Sequence, residues 1–329
     1  MHAGRADLRH DADPLPAHDE DGDVHGAPIA RSVVDATLIA QYALAGLVIG
    51  VIYCLMAVGI TFIYSVMKMI NWAMGEFYML GGYLQYLLLS TWLGPSRWYL
   101  ALPLAVLGVG LLGMGIQRVL LRPMFVGQGE RLDEYATIVT ISLTVLFRNL
   151  AIVVFGPYQF SPRDYAPPVQ VGPLPLNGSR LVAFLGAVIL LGAFAVVVRW
   201  SWFGRALRAA AQNRLGALSA GIDLPRMDML AFGVGVALAG AAGALLAPVF
   251  LVFPESGAVS TVKGFEIIVI GGLGSIPGSI VGGLLLGLVE SLGSVFLSAS
   301  FRDVYGFGLL LLVLALRPAG LWGERAREA

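Results

Sequence analysis

The feature that most constrains this 329-residue chain is a series of long apolar runs that carry almost no charge. Charged residues make up 13% of the sequence and hydrophobic residues 57%, whereas a soluble domain has about 25% charged residues. In hydrocarbon every backbone N–H and C=O must be paired within the protein, so only helices and closed barrels cross a membrane. The runs are continuous rather than alternating, which excludes a barrel. The sequence therefore predicts an all-α, polytopic membrane helix bundle.

A spanning helix needs about 20 apolar residues, and the length of each run predicts the number of segments. The stretch 265–297 is too long for one straight helix and contains Ser275 and Pro277 between glycines, so we expect a broken helix with two segments meeting there. This gives eight or nine membrane segments, the last of them short enough to require tilting or flanking residues. The predicted stretches are about 38–66, 75–93, 98–117, 135–155, 181–198, 229–253, 265–297 and 303–316.

Arginine-rich loops predict the orientation, because Lys and Arg accumulate in short cytoplasmic loops. Three regions are expected to be cytoplasmic, and the loop 156–180, which contains only Arg163 and Arg180, is expected outside. The cytoplasmic arginines are Arg118, Arg122 and Arg131; Arg199, Arg205, Arg208, Arg214 and Arg226; and Arg317, Arg325 and Arg327.

The first 36 residues differ in composition from the rest of the chain. They contain eight acidic and three basic residues, and their Asp, Gly, Pro and His content is typical of disorder. They lack the basic segment and short apolar core of a signal peptide. We interpret 1–36 as an acidic, disordered tail and 37–329 as the transmembrane domain.

Ionisable residues inside membrane segments are costly and mark candidate functional positions. Glu76 lies at the start of the second stretch, where it either has a function or interacts with the positive end of the helix dipole. Glu290 is far from any polar loop, so it must face a partner or a wet cavity. Arg148 and Lys263 are expected to extend to the outer membrane interface.

The sequence lacks the patterns that an enzyme or a metal site would need. All four histidines lie in the tail and Cys54 is the only cysteine, so the membrane domain has no Cys–His metal site. No G-x-x-x-x-G-K-[ST], G-x-S-x-G or H-E-x-x-H motif occurs. We expect no enzymatic activity and no cofactor; ATP-driven transport would require a separate ATPase subunit.

The basic loop 199–227 contains a second kind of candidate site. Residues 203–220 are rich in Ala, Leu and Arg, which favour a helix, and Gly221 is placed to end it. The slim alanine surface suits close packing with another protein, while a basic amphipathic turn on the lipid surface is the alternative. These residues alone leave both interpretations open.

Four ordered motifs resemble the LivH-type permeases of branched-chain amino acid ABC importers, over about residues 40 to 325. The family's NFAHGE segment corresponds to Asn71–Glu76, with Met74 in place of the usual histidine. The motifs are GLVIGVIYCLMAVGITFIYSVMKMINWAMGEFYMLGGY (46–83), GRALRAAAQNRLGALSAGID (204–223), KGFEIIVIGGLGSIPGSIVGGLLLGLVES (263–291) and LRPAGLWG (316–323).

The resemblance implies the permease subunit of an ATP-driven importer of branched-chain or other neutral amino acids in the bacterial inner membrane. Its implied partners are cytoplasmic ABC ATPase subunits, a second, homologous permease chain, an extracytoplasmic solute-binding protein and membrane lipid, without nucleic acid. The loop 199–227 corresponds to the family's cytoplasmic coupling segment. Urea or short-chain amide importers share most of these motifs, and an ion-coupled secondary transporter acting alone is a further alternative.

On this basis we predict two groups of site residues. The translocation path is predicted to comprise Asn71, Glu76, Tyr78, Gly271, Gly272, Gly274, Ser275, Pro277, Gly278 and Glu290. ATPase coupling is predicted to depend on Arg205, Arg208, Asn213, Gly216 and Gly221. The pairs Gly278–Gly282 and Gly283–Gly287 have G-x-x-x-G spacing and are expected to pack against neighbouring helices.

Overall fold

The computed structural model describes residues 36–123, 132–162, 164–171 and 174–323. The predicted acidic tail lies outside the described residues except for its last residue. Arg131, Arg163, Arg325 and Arg327 lie outside them as well.

Across the described ranges the chain forms eleven α-helices, in agreement with the predicted class. One two-stranded antiparallel hairpin, β1 (Val169–Val171) and β2 (Leu174–Leu176), lies between the helices that end at Phe155 and begin at Gly178. The helices are α1 (Ala36–Met67), α2 (Met74–Leu87), α3 (Trp98–Ile116), α4 (Leu132–Phe155), α5 (Gly178–Trp200), α6 (Trp202–Gln212), α7 (Arg214–Ser219), α8 (Leu224–Leu246), α9 (Ser256–Gly271), α10 (Ile276–Phe296) and α11 (Arg302–Leu316).

Seven helical segments of the described residues are long and apolar enough to cross a membrane. They comprise most of α1, all of α5, α8 and α10, and α3, α4 and α11 with short adjustments at their ends. The helices α2 and α9 are shorter, with 14 and 16 residues, or about 21 and 24 Å at 1.5 Å per residue.

The helices α1 and α8 form the centre of the bundle. In their most apolar windows 67% and 78% of the residues are buried, against 22%, 17% and 11% for the windows in α4, α5 and α11. Glycines let α1 and α10 approach closely: a Cβ on Gly46 would lie 2.7 Å from the Gly287 carbonyl oxygen, and one on Gly50 would lie 2.9 Å from that of Gly283. This confirms the helix packing predicted for Gly283 and Gly287.

Two predicted boundaries in the second half of the chain are wrong. The predicted segment 229–253 is helical only to Leu246, where a turn begins, and α9 begins at Ser256 instead of 265. The polar residues of 256–263, including Ser256 and Lys263, lowered the hydropathy that the prediction followed. They are tolerated because they find partners inside the bundle: Ser256 and Thr261 donate to backbone carbonyl groups and Lys263 forms ion pairs.

The predicted helix 203–220 is also wrong in one respect, because it forms two helices, α6 and α7. Asn213 between them has an extended backbone (φ −151°, ψ 103°), and its side chain accepts a hydrogen bond from the N–H of Gly216 at 2.9 Å. Asparagine is a strong N-cap residue, so it begins a new helix in a stretch that otherwise favours one continuous helix.

Candidate functional site

In the described part of the bundle, an apolar and a polar cavity lie at different heights along α1. The apolar cavity, of about 240 Å³, is lined by Ile52, Met56, Leu246 and Phe250, together with a few polar side chains. The polar cavity, of about 770 Å³, lies at the arginine-rich end of the bundle, between the end of α1 and the start of α10. Because Ile52 and Met56 of α1 line the apolar cavity and Tyr64 and Ser65 of the same helix line the polar cavity, the two cavities are roughly 12–20 Å apart along α1.

A buried ion network borders the apolar cavity. The Glu290 carboxylate, fully buried in α10, lies 2.7 Å from Lys263 Nζ of α9 and 2.7 Å from Arg302 Nε of α11. Each carboxylate oxygen therefore faces a different cation. Such an arrangement is required for a buried carboxylate, because an unpaired charge in a low-dielectric interior is strongly destabilising.

Three further groups complete this network. Lys263 Nζ also lies 2.9 Å from Asp303 Oδ1 and 3.4 Å from Glu266 Oε2. The Tyr53 hydroxyl donates to Glu290 Oε2 at 3.3 Å and accepts from Arg302 Nη2 at 3.4 Å. Lys263, Asp303 and Arg302 line the cavity, so the network meets the apolar wall directly.

The structure answers the sequence-based questions about Glu290 and Lys263 together. Glu290 has partners, as its position required, and one of them is Lys263. The expectation that Lys263 extends to the membrane interface is wrong, since this residue is only 6% exposed. Arg148 differs, because it forms a half-exposed ion pair with Glu255 at 3.2 Å.

Arg302 and Asp303 are candidate functional residues that sequence reasoning missed. They stand together at the start of α11, immediately before a long apolar run. Two adjacent opposite charges at a helix start are common at a membrane interface. Only the folded arrangement shows that they reach Glu290 and Lys263.

Asn71 and Glu76 organise the start of α2. The Asn71 side chain accepts a hydrogen bond from the N–H of Ala73 at 3.0 Å, which shapes the turn before the helix. Glu76 is fully buried in the first turn. Within the described residues its carboxylate oxygens have no hydrogen-bond partner. They pack against α9, where a Cβ on Gly257 would lie 2.5 Å from the Glu76 carboxyl carbon.

Of the predicted path residues, Tyr78 lies in the wall of the apolar cavity, and Glu290 contacts two residues of that wall. The residues of the segment 271–278 lie elsewhere. Gly274, Ser275 and Pro277 line the polar cavity, together with Lys68 and Gln212. The structure therefore divides the predicted path residues between two cavities and the start of α2.

The chain turns sharply between α9 and α10. Gly272 and Gly274 have φ of +100° and +85°, a region that L side chains rarely adopt. The Ser275 hydroxyl then accepts a hydrogen bond from the N–H of Gly278 at 3.1 Å and caps α10. A Cβ on Gly278 would lie 2.1 Å from the carbonyl oxygen of Gly271, so the two helix ends touch through their backbones.

The segment 317–323 folds back onto this turn. The N–H groups of Leu321 and Trp322 donate to the carbonyl oxygens of Ile270 and Gly271, both at 2.9 Å. The last carbonyl groups of a helix have no partner within the helix, and this segment supplies two donors. The motif LRPAGLWG thus completes the end of α9 beside the polar cavity.

Arg205 and Arg208 bind the end of α5. Arg205 Nη1 donates to the carbonyl oxygen of Trp200 at 3.1 Å, and Arg208 donates to those of Val198 and Arg199. Cations are favourable at a helix C-terminus because of the helix dipole. Both side chains therefore fix α6 against α5 and leave part of each arginine exposed.

The remaining predicted coupling residues shape α7. Asn213 caps its start, and Gly221 follows it with φ of +81°. The N–H groups of Gly221 and Ile222 donate to the carbonyl oxygens of Leu218 and Ala217, at 2.9 and 3.0 Å. This is a Schellman helix end. Gly216 is exposed in the first turn of this short helix.

Arg214, which sequence reasoning placed only among the loop cations, connects α7 to the centre of the bundle. Its guanidinium donates to both carboxylate oxygens of buried Asp228 in α8, at 3.1 and 2.6 Å. It also donates to the Val66 carbonyl oxygen at the end of α1, at 3.2 Å. A bidentate pair of this kind fixes distance and orientation.

Comparison with known proteins gives one consistent result. Residues 42–316 match the family described as branched-chain amino acid transport system, permease component. No solved structure matches the chain significantly.

The similar curated proteins carry related names. The high-affinity branched-chain amino acid transport system permease protein LivH of Salmonella typhimurium is 33% identical over 300 residues, covering 85% of this chain and 94% of that protein. LivH of Escherichia coli K12 is 32% identical over 292 residues, with the same two coverages. BraD of Pseudomonas aeruginosa is 31% identical over 297 residues, covering 86% and 95%.

Proposed function

This chain belongs to the family of branched-chain amino acid transport permeases, and from that premise we propose that it is the permease subunit of an ATP-driven importer of branched-chain amino acids. It is a multi-pass protein of the bacterial inner membrane. The names of its relatives support this cargo over urea or short-chain amides. The chain itself contains no P-loop, so the ATPase is a separate cytoplasmic subunit.

The observation that carries the proposal is the connection of α6 and α7 to the bundle. Arg214 binds Asp228 of α8 and the end of α1, and these two helices contribute to the wall of the apolar cavity. A push on α6 and α7 therefore acts on the helices beside the cavity. The loop 199–227 is the cytoplasmic coupling surface in this proposal, with Gly216 at its contact and Arg205, Arg208, Asn213 and Gly221 fixing its shape.

The translocation path runs from the apolar cavity to the polar cavity. Tyr78 and Glu290 belong to its first part, at the apolar cavity. Asn71 and Glu76, at the start of α2, belong to the part between the two cavities. Residues 271–278 form its cytoplasmic end. Backbone that departs from helix at membrane depth is tolerated where protein or a cavity satisfies it. The helices α2 and α9 then count as short membrane segments, which with the seven spans gives nine.

The remaining partners follow from the same arrangement. A solute-binding protein docks at the end with the apolar cavity and delivers the amino acid. A second permease chain and membrane lipid cover α4, α5 and α11, whose most apolar windows are mostly exposed in the single chain. In this proposal residues 37–329 are the permease domain, and the acidic segment 1–36 is a separate N-terminal region.

The test is uptake of labelled leucine by proteoliposomes that contain the permease chains and the ATPase, with the binding protein added. We expect uptake only when ATP, ATPase and binding protein are all present. Excess urea or acetamide should not compete. Uptake by this chain alone under an ion gradient would instead establish a secondary transporter.

The variant Gly216→Phe tests the coupling surface. A Cβ at Gly216 would meet only the Asn213 side chain, at 3.3 Å or more, so the fold can accept a larger residue. We expect the variant to reach the membrane but to lose ATPase stimulation by loaded binding protein. The matched control is Gly192→Phe in α5, outside the loop 199–227, where a Cβ would have no neighbour within 4 Å. Unchanged stimulation in Gly216→Phe would refute the docking role.

A further inference from the structure

We propose that the apolar cavity is the permease's own amino-acid site, in which Arg302 binds the substrate carboxylate and Asp303 the substrate ammonium. The apolar wall receives the aliphatic side chain. This inference rests on the proposed importer function and names the site and the groups that would recognise the cargo.

Arg302 has the donors that a carboxylate requires. Its guanidinium carries five N–H groups; Nε donates to Glu290 at 2.7 Å and one Nη2 hydrogen to Tyr53 at 3.4 Å. The cation stacks over the Phe250 ring at 5.7 Å, in the cavity wall. Its side chain is 29% exposed, so the remaining donors are accessible from the cavity.

Asp303 is the exchangeable member of the network. Lys263 has three N–H donors and three carboxylate neighbours, Glu290, Glu266 and Asp303. The first two carboxylates are at most 2% exposed, whereas the Asp303 side chain is 71% exposed. Asp303 can therefore turn from Lys263 to a substrate ammonium without leaving a buried carboxylate unpaired. The freed Lys263 donor is then available to the substrate carboxylate.

The charge of the network selects a zwitterion. Lys263 and Arg302 carry two positive charges, and Glu266, Glu290 and Asp303 carry three negative charges, so the ionised groups have a net charge of −1. An amino acid with an uncharged side chain adds one charge of each sign and leaves this net charge unchanged. A carboxylate alone would raise it to −2 in a largely apolar site, and an amine alone would leave the donors of Arg302 and Lys263 without a carboxylate to bind.

The wall specifies the side chain. Ile52, Met56, Leu246 and Phe250 surround the space next to the ionic groups. An apolar cavity with a few polar groups on one side is the usual form of a small-molecule site. A charged or amide side chain pointing into this wall would lose its hydration without finding a partner, so valine, leucine and isoleucine are favoured.

The experiment measures binding to the reconstituted permease–ATPase complex without binding protein. The probes are labelled L-leucine, 4-methylpentanoate, which lacks the ammonium, and isopentylamine, which lacks the carboxylate. Asp303→Asn should weaken leucine binding at least about tenfold, the loss expected for a charge-assisted hydrogen bond, while 4-methylpentanoate binding stays unchanged. Arg302→Gln should weaken leucine binding similarly while isopentylamine binding stays unchanged. A merely structural role would affect all three probes alike.

The half-exposed ion pair between Arg148 and Glu255 provides the matched controls, Arg148→Gln and Glu255→Gln. A further measurement does not depend on the ionic variants folding: Ser260→Cys, in a Cys54→Ala background, places a thiol in the cavity wall. L-leucine should slow its reaction with a methanethiosulfonate reagent at least severalfold, and neither analogue should do so.

Leucine binding within twofold of wild type in both ionic variants, or a thiol that leucine does not protect, would overturn this site. If the wild-type complex of the same preparation still imports leucine when its binding protein is added, the proposed importer function is retained even though this site is refuted. Failure of wild-type complex to import leucine would instead refute the proposed function itself.

Discussion

Replacing Glu290 with glutamine should destabilise the protein strongly, because it removes a fully buried charge that two cations share. The carboxylate stands between two cations, with one oxygen 2.7 Å from Lys263 Nζ and the other 2.7 Å from Arg302 Nε. Glutamine keeps one acceptor oxygen for Arg302 but turns an N–H group toward the Lys263 ammonium. Because residue 290 is fully buried, no water can separate this N–H group from the Lys263 ammonium.

Breaking a buried ion pair by removing one partner costs about 3–5 kcal/mol. For a chain of this length each kcal/mol corresponds to about 2 °C in the unfolding midpoint, so Glu290→Gln should lower it by about 6–10 °C. Lys263→Met should have a similar effect. The double variant should lose clearly less than the sum, because neither partner then leaves the other unpaired.

Cys54 allows a direct assay. It is the only cysteine in the chain and is fully buried against α10, so a thiol-reactive fluorescent dye reports its exposure during heating in detergent. Glu255→Gln, which removes a half-exposed partner of Arg148, serves as control and should shift the midpoint by at most about 2 °C. A shift as small as the control's, or strictly additive single effects, would refute the account of the network.

Two packing predictions use the same assay. Gly81→Val places a Cβ 2.1 Å from a backbone oxygen of α8, so the helices must separate and the unfolding midpoint should fall by about 2–6 °C. The control Gly115→Val has nothing within 4 Å of its Cβ and should change the midpoint little. Equal shifts in the two variants would contradict this packing. Leu321→Pro removes the N–H that donates to the end of α9 and should lower the midpoint by about 2–6 °C. An unchanged midpoint would show that the segment 317–323 does not stabilise that helix end.

The sequence by itself determined that this is a helical membrane protein, because its apolar segments require a hydrocarbon environment and that environment permits few structures. A run of about 20 apolar residues is stable in hydrocarbon only as a helix, and this local rule located most helices. The predicted stretches 98–117 and 135–155 correspond closely to α3 and α4. The glycines of α10 were recognised as a packing surface because their spacing along one helix is itself a local property.

The tertiary structure decided which polar residues belong together. Glu290 and Lys263 lie 27 positions apart, and no local pattern indicates that they form an ion pair; their pairing depends on how α9, α10 and α11 pack. The same burial hides Lys263, which sequence reasoning assigned to the interface, and lets α9 begin among polar residues. Hydrophobicity acts on each segment separately, whereas the energy of a buried charge depends on every helix around it, so only the packed bundle determines the site.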